Sequence, residues 1–405
     1  MQDRRFISLD QLRVEPFRIF FFLGALCCLI GTAFWPLKTY GIAFADVSTK
    51  FHVWIQIYGF MTCFVVGFLG TAIPHVTQSR PFSWSELLTL LGLQCAVILM
   101  LALGHYFYAH LCHLSMIVVL VGMLSLRVAR RKGSLPDSFI LIPFAFVSLL
   151  LGNCLHLLLY LGVRWRPVEL TELSQNLIFQ GFLSFLIVGV GGFLIRGVFG
   201  GPPFPGQSLS LTNTHMPKAL PLPLHFVCGV ALLCSFPVES FLHDRLGLLL
   251  RAVAVSIEVF GQLRSQRKPT GGRLAAGWIR WAMILLVLGF WGALIAPGVY
   301  RLPFLHLCFA GGFGITTFCV ATWIIFNHGG YEHLLTQRHR PLTAALVFFM
   351  IALACRVSAE FLPNSYESHL AYAGLFWAGG VIIWASSVLF KVLFFRPVET
   401  PDVAK

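Results

Sequence analysis

Charge is what this chain has least of. Of its 405 residues, 11% are Asp, Glu, Lys or Arg, against about 25% in a typical soluble protein. Several motifs are missing as well. No CxxC pair and no CxxCH occurs among the eleven cysteines, which excludes a zinc ribbon, a thioredoxin-type dithiol and covalent haem attachment. No Walker A sequence or helix-opening GxGxxG is present, so nucleotide chemistry is not indicated. The lack of HExxH argues against a membrane zinc protease. The cysteines fall almost entirely inside apolar runs. There they read as small hydrophobes, with a soft copper(I) ligand as the alternative.

Apolar sequence is what the chain has instead. Hydrophobic residues make up 57% of it, and the mean hydropathy is +0.81. The implied fold class is all-α: a polytopic membrane helix bundle, satisfying its own backbone in lipid. Apolar runs fall near 17–37, 52–74, 87–107, 111–128, 139–161, 175–199, 222–241, 246–260, 277–296, 304–326, 341–362 and 370–395, about twelve spans. The seventh and eighth are the least clean, because Pro237, Glu239, Asp244 and Arg245 crowd their junction. The first run follows a basic N-terminus without an obvious cleavage site, and reads as a span, not a signal peptide.

The net charge of +13 does not point to nucleic acid. The basic residues sit in short loops between apolar runs, where they orient helices. With the N-terminus inside, inner segments hold more than three times as many Lys and Arg as outer ones, which predicts an N-in/C-in topology. The Pro/Gly-rich stretch 201–221 faces inside and divides the chain into two six-helix halves, 1–200 and 222–405.

One stretch organises the functional reading. Phe304–Gly330 carries His306 near one end, His328 past the other, and Gly311, Gly312 and Gly314 between. At about 1.5 Å per residue the two imidazoles stand roughly 33 Å apart, one on each membrane face. The glycines predict a close approach by another helix or a flat ligand. Phe51–His75 repeats the plan, with His52, then Gly59, Gly67 and Gly70, then His75. On the predicted topology His52, His113, His156 and His306 lie at or near the outer ends of four spans, and convergence of all four is open. His105, His110, His243 and His369 fall in outer loops. His75, His215, His225, His328, His333 and His339 fall on the inner side.

Imidazole suits haem iron and copper. Haem ligation by His52, His156 and His306 therefore competes with a plainer reading, in which these are interfacial polar groups bonded to carbonyls. Arg356 and Glu360 are four apart and share a helix face; Arg356 either pairs a haem propionate or closes an internal ion pair. Arg251 and Glu258 share a face in span eight, and with Arg356 and Glu360 they suggest a transport path for a metal, haem or small anion. A scaffold that binds nothing is the third reading. No residue set reads as catalytic. No His-His pair lies within a span and no HxH occurs, which argues against a haem–copper oxidase or nitric oxide reductase core.

A family likeness then enters. Pro16–Phe22, Gly59–Phe60, Gly67–Phe68, Thr71–Ala72 to Pro74, Leu135–Pro136, Asn153 with His156, Gly191–Gly192, the set His306, Gly311, Gly314, Thr316, His328 and Gly329, then Arg340–Leu342, Arg356–Val357, Trp377–Ala378 and Arg396–Pro397 occur in the order and spacing of one family. The chain resembles the NnrS family, bacterial inner-membrane proteins of twelve spans that contain haem and copper and are linked to nitric oxide tolerance. The resemblance implies haem held by a subset of His52, His156, His306 and His328, with Arg356 alongside. It places metal at His52, His113 and His306. Partners would be membrane lipid, haem and nitric oxide. The chain departs from the family's HAHEM at the start of span two: His52 is kept, but Trp54, Ile55 and Gln56 replace the second His, the Glu and the Met. Asn327–Gly330 replaces Gly-His-Thr-Gly, Trp323 replaces an Arg, Arg280 stands about where a His opens span nine, and His75 follows Pro74 in place of Asn. These changes remove a soft and acidic ligand set suited to copper.

Overall fold

The computed structural model describes residues 4–6, 8–42, 49–132, 135–198, 220–264, 274–331, 333–337, 339–393 and 395–397. Twelve helices within these are long and apolar enough to cross a bilayer. They are α1 Phe17–Thr39, α2 Thr49–Val76, α3 Trp84–Ala102, α4 Tyr106–Ala129, α5 Asp137–Tyr160 and α6 Pro167–Gly191. The second set is α7 Leu222–Leu242, α8 Asp244–Arg264, α9 Ala275–Ile295, α10 Gly298–His328, α11 Arg340–Ala359 and α12 Pro363–Leu389. The protein is an all-α multi-pass membrane bundle. The crowded junction of spans seven and eight resolves into two helices, α7 and α8. The predicted inner linker 201–221 lies outside the described residues up to position 219.

An even number of crossings returns both termini to one face. Two short strands confirm this: Arg4–Phe6 (β1) pairs antiparallel with Phe395–Pro397 (β2), Arg5 opposite Arg396. The packing also joins the two ends of the chain. α12 lies against both α11 and α1, and the Trp377 indole donates to Cys28 Sγ at 3.2 Å. The Trp384 indole donates to Thr322 Oγ1 on α10 at 2.9 Å. Aromatic rings fill the space between: Phe318 stacks on Phe349 at 4.8 Å, and Phe21 on Phe64 at 4.6 Å.

Within lipid, apolar burial gives little drive for helices to associate, so close van der Waals packing carries the load. The glycines show it. A Cβ at Gly292 would stand 2.1 Å from the Phe304 ring, and one at Gly289 2.4 Å from Cys308 Sγ, which seats α9 against α10. At the end of the bundle that carries both termini, Ser83 and Glu86 form a capping box at the start of α3. Glu86 also receives Arg127 of α4 at 2.8 Å, tying the two helix ends together.

Several helix boundaries differ from the hydropathy reading, and those at α3, α4, α6 and α12 move polar residues. α3 ends at Ala102, with Gly104 in a positive-φ conformation (74°) that stops the helix. Tyr106, Phe107 and Tyr108 therefore start α4 and do not extend α3, so His110 is helical and buried, not a loop residue. His369 likewise lies within α12. α6 begins at Pro167, a residue favoured at a first helical position, which brings Ser174 into the bundle.

Candidate functional site

α2 and α10 share a local irregularity. A short α-helical piece precedes a stretch of i→i+5 turns in both, over Ile55–Met61 in α2 and Leu307–Gly314 in α10; shorter stretches of the same kind occur in α6, α7 and α12. Such turns recur at functional sites. His306 immediately precedes the widened stretch of α10, and His52 stands one turn before that of α2.

The two imidazoles are held in the same way. His52 Nδ1 lies 2.7 Å from the Gly31 carbonyl oxygen on α1. His306 Nδ1 lies 2.9 Å from the Leu302 carbonyl oxygen, one turn back on α10. A carbonyl only accepts, so each Nδ1 carries the proton, and each Nε2 presents a lone pair. Both rings are half-buried. They lie within electrostatic reach of each other and of Arg356 on α11. Arg356 bonds Glu360 at 3.3 Å, and Tyr366 of α12 donates to the same carboxylate at 3.5 Å. Trp35 closes one side, edge-on to His52 at 5.7 Å.

The glycines do not leave a groove for a flat ligand. A Cβ on Gly59 would meet Cys27 at 2.8 Å, on Gly311 Leu285 and Leu353 at 3.1 Å, and on Gly314 Trp377 at 2.7 Å. Their role is helix packing, and the ligand space implied by the sequence is not along these faces.

His156 and His113 belong to a second cluster, on the other side of α2. Trp54 follows His52 by two residues, about 200° around the helix. Its indole meets His110 edge-on at 4.4 Å and His156 at 5.1 Å. One turn on, Tyr58 stacks flat on His113, centroids 3.6 Å apart. The Tyr58 hydroxyl donates to Asn153 Oδ1 at 2.7 Å and lies 2.8 Å from His110 Nδ1. Because the tyrosine proton is used, His110 Nδ1–H is the donor there, and His110 Nε2 is left buried without a partner. His113 Nδ1 lies 3.3 Å from Asn153 Oδ1, and Thr62 Oγ1 is 3.3 Å from its Nε2. So His52 and His306 lie within electrostatic reach of each other, while His113 and His156 gather with His110 around Trp54 and Tyr58 in a separate cluster.

His328 stands at the end that carries both termini, where its Nδ1 is 3.0 Å from Glu15 Oε1 and its ring is 5.3 Å from Phe17. Burial raises the Glu15 carboxyl, but the His328 hydrogen bond and the Arg18 charge outweigh this and hold it below the usual glutamate value.

Each of the four charges of the suggested transport path has a bonded partner. Arg251 pairs with Glu239 and bonds Gln180 at 2.6 Å. Glu258 bonds His225 at 2.8 Å. Arg356 and Glu360 close on each other in a different part of the bundle. Sequence reasoning missed Tyr58, His110 and Glu239 as members of networks. The signal was present as spacing: Trp54, Tyr58 and Thr62 recur every four residues, while His110–His113 and Asn153–His156 are each three apart.

The profile of the family described as NnrS protein matches residues 11–396. The chain belongs to the NnrS family. No curated protein matches it at a significant level. This NnrS protein carries His52 and His306 toward one end of the bundle and His328 toward the other. The haem that the family implies can be weighed against the donor sets. His52 and His306 fit: both are neutral-tautomer imidazoles with Nδ1 tied to a carbonyl and Nε2 free, the arrangement that orients a ligating histidine. Copper fits less well. Among the described residues, no three His, Cys, Asp or Glu side chains gather to hold a metal ion.

Proposed function

We propose that this NnrS protein binds haem at the outer ends of α2 and α10 and contributes to tolerance of nitric oxide in the bacterial inner membrane. The observation that supports the reading most is the matched pair of His52 and His306, each with Nδ1–H held by a backbone carbonyl at 2.7 and 2.9 Å. That bond holds the ring and leaves Nε2 as the nitrogen available to a ligand. Arg356 is the group suited to a propionate, because a planar guanidinium meets a carboxylate through two parallel bonds. Glu360 and Tyr366 hold Arg356 in position on the side facing α12.

When bound, haem would supply an iron able to take up nitric oxide. The chain's own part is to orient the two imidazoles, balance the propionate charge and wall the site from water with Trp35. Copper is left out of the proposal, since the replaced HAHEM residues and the separation of His113 from His52 and His306 remove its donors. The basic excess on the inner loops supports the N-in/C-in orientation, with His52 and His306 then on the outer side.

The test is an absorption spectrum with haem and metal quantification on detergent-purified protein. A Soret band that shifts on adding nitric oxide is expected. Colourless protein after expression with ample haem supply would refute the proposal.

A further inference from the structure

A recess lies on the opposite side of α2 from His52. The outer ends of α2, α5 and α6 enclose a recess of about 520 Å³, within the usual range for small-molecule sites. Its walls include Trp54, Phe179 and Tyr160, and its polar groups include Lys50, His156 and Gln175.

The hydrogen bonds behind the recess determine what it offers. Ser174 Oγ donates its single proton to the Thr171 carbonyl at 2.9 Å. His156 Nδ1, 2.9 Å from that oxygen, must then be the donor. His156 Nε2 is left with a lone pair, so the imidazole lining the recess presents an acceptor. Lys50 lies at the other side, donating to the Tyr160 hydroxyl at 3.1 Å with its ammonium 4.3 Å from the Tyr106 ring. Tyr160 accepts from Lys50 and keeps its own proton to donate. Gln175 offers an amide that donates and accepts. Trp54 and Phe179, 4.9 Å apart, supply the flat apolar surfaces.

We propose that this recess binds the dihydroxy aromatic head group of a membrane-borne quinol. The ring needs aromatic walls. One hydroxyl donates to His156 Nε2, and the other oxygen accepts from Tyr160 or Lys50. A carboxylate or phosphate would set its oxygens against the Nε2 lone pair and leave the aromatic walls unused. A lipid-soluble ligand is favoured because the recess sits where three spans reach the membrane surface, and Leu161 and Trp165, just beyond α5, are exposed there. The proposal concerns binding, and it stands on residues separate from His52 and His306.

The test is calorimetric titration of the full chain in lipid nanodiscs with ubiquinol-1, kept reduced under argon. Saturable one-to-one binding is expected. Ubiquinone-1 and the dimethyl ether of ubiquinol-1, which lack the donated proton, should bind at least tenfold more weakly. His156→Phe should abolish that preference, and Val53→Trp, which fills the recess, should abolish binding. His52→Ala should change haem content and leave quinol binding as it was, which separates this site from the haem proposal. Absence of saturable binding, equal binding of the ether, displacement by acetate or phosphate, or an unchanged preference in folded His156→Phe would each overturn it. Should His156→Phe not fold, unchanged binding in Val53→Trp overturns it independently.

Discussion

His52 and Trp54 are two residues apart on α2 and serve opposite sides of the bundle. His52 donates to Gly31 of α1 at 2.7 Å; Trp54 packs edge-on against His110 and His156. One helix end therefore organises two polar centres in a membrane interior that otherwise excludes such groups.

Gly31 tests how tightly the first centre is built. A Cβ there would lie 2.5 Å from Gln56 Nε2 and 2.7 Å from the Ile55 side chain. Gly31→Ala should force α1 from α2, stretch the His52 hydrogen bond, and cost about 1–3 kcal/mol through overpacking. A lower thermal unfolding midpoint in detergent, together with reduced haem retention, is the expected result.

Tyr58 tests the second. Its hydroxyl serves Asn153 and His110 at once. Tyr58→Phe removes both bonds, leaves the buried His110 Nδ1–H unpaired and leaves Asn153 Oδ1 with His113 alone, a loss of about 1–3 kcal/mol. Differential scanning calorimetry should show destabilisation, while His52 and its haem content stay unchanged.

The Arg251–Glu239 pair is buried between α7 and α8, with Gln180 of α6 bonded to the guanidinium. Removing one member strands the other. Arg251→Met and Glu239→Gln should each destabilise by about 3–5 kcal/mol, and the double variant by less than their sum. A double-mutant cycle on unfolding midpoints measures the coupling.

Glu15 gives a pH signature at the end of the bundle that carries both termini. Its folded value lies below the usual 4.5 because His328 and Arg18 stabilise the carboxylate. The sign follows: its contribution is complete above 4.5 and is lost as pH falls through the lower folded value. The unfolding midpoint should therefore drop with acidification below about 4.5, and Glu15→Gln should flatten that part of the profile. An unchanged profile in Glu15→Gln would show that other groups set it.

The span count was readable because lipid demands long apolar helices, and that demand is written in composition. Helix ends were less readable where aromatic residues sit at the interface. Tyr106–Tyr108 look equally apolar on either side of Gly104, and His110 was misplaced for that reason. His52 and His306 could be named from their place at span ends. The glycines misled in one respect: small residues permit close approach, and only the structure shows that Cys27, Leu285, Leu353 and Trp377 occupy the space. Buried networks such as Tyr58–Asn153–His113 join helices far apart in sequence, so no single-helix pattern reveals them.

The most direct measurement is haem per polypeptide, by pyridine haemochrome, in matched preparations of wild type, His52→Ala, His306→Ala and His156→Phe. Loss of haem from the first two variants and retention in the third is the predicted result. Full haem in a folded His52→Ala, His306→Ala double variant would contradict the account.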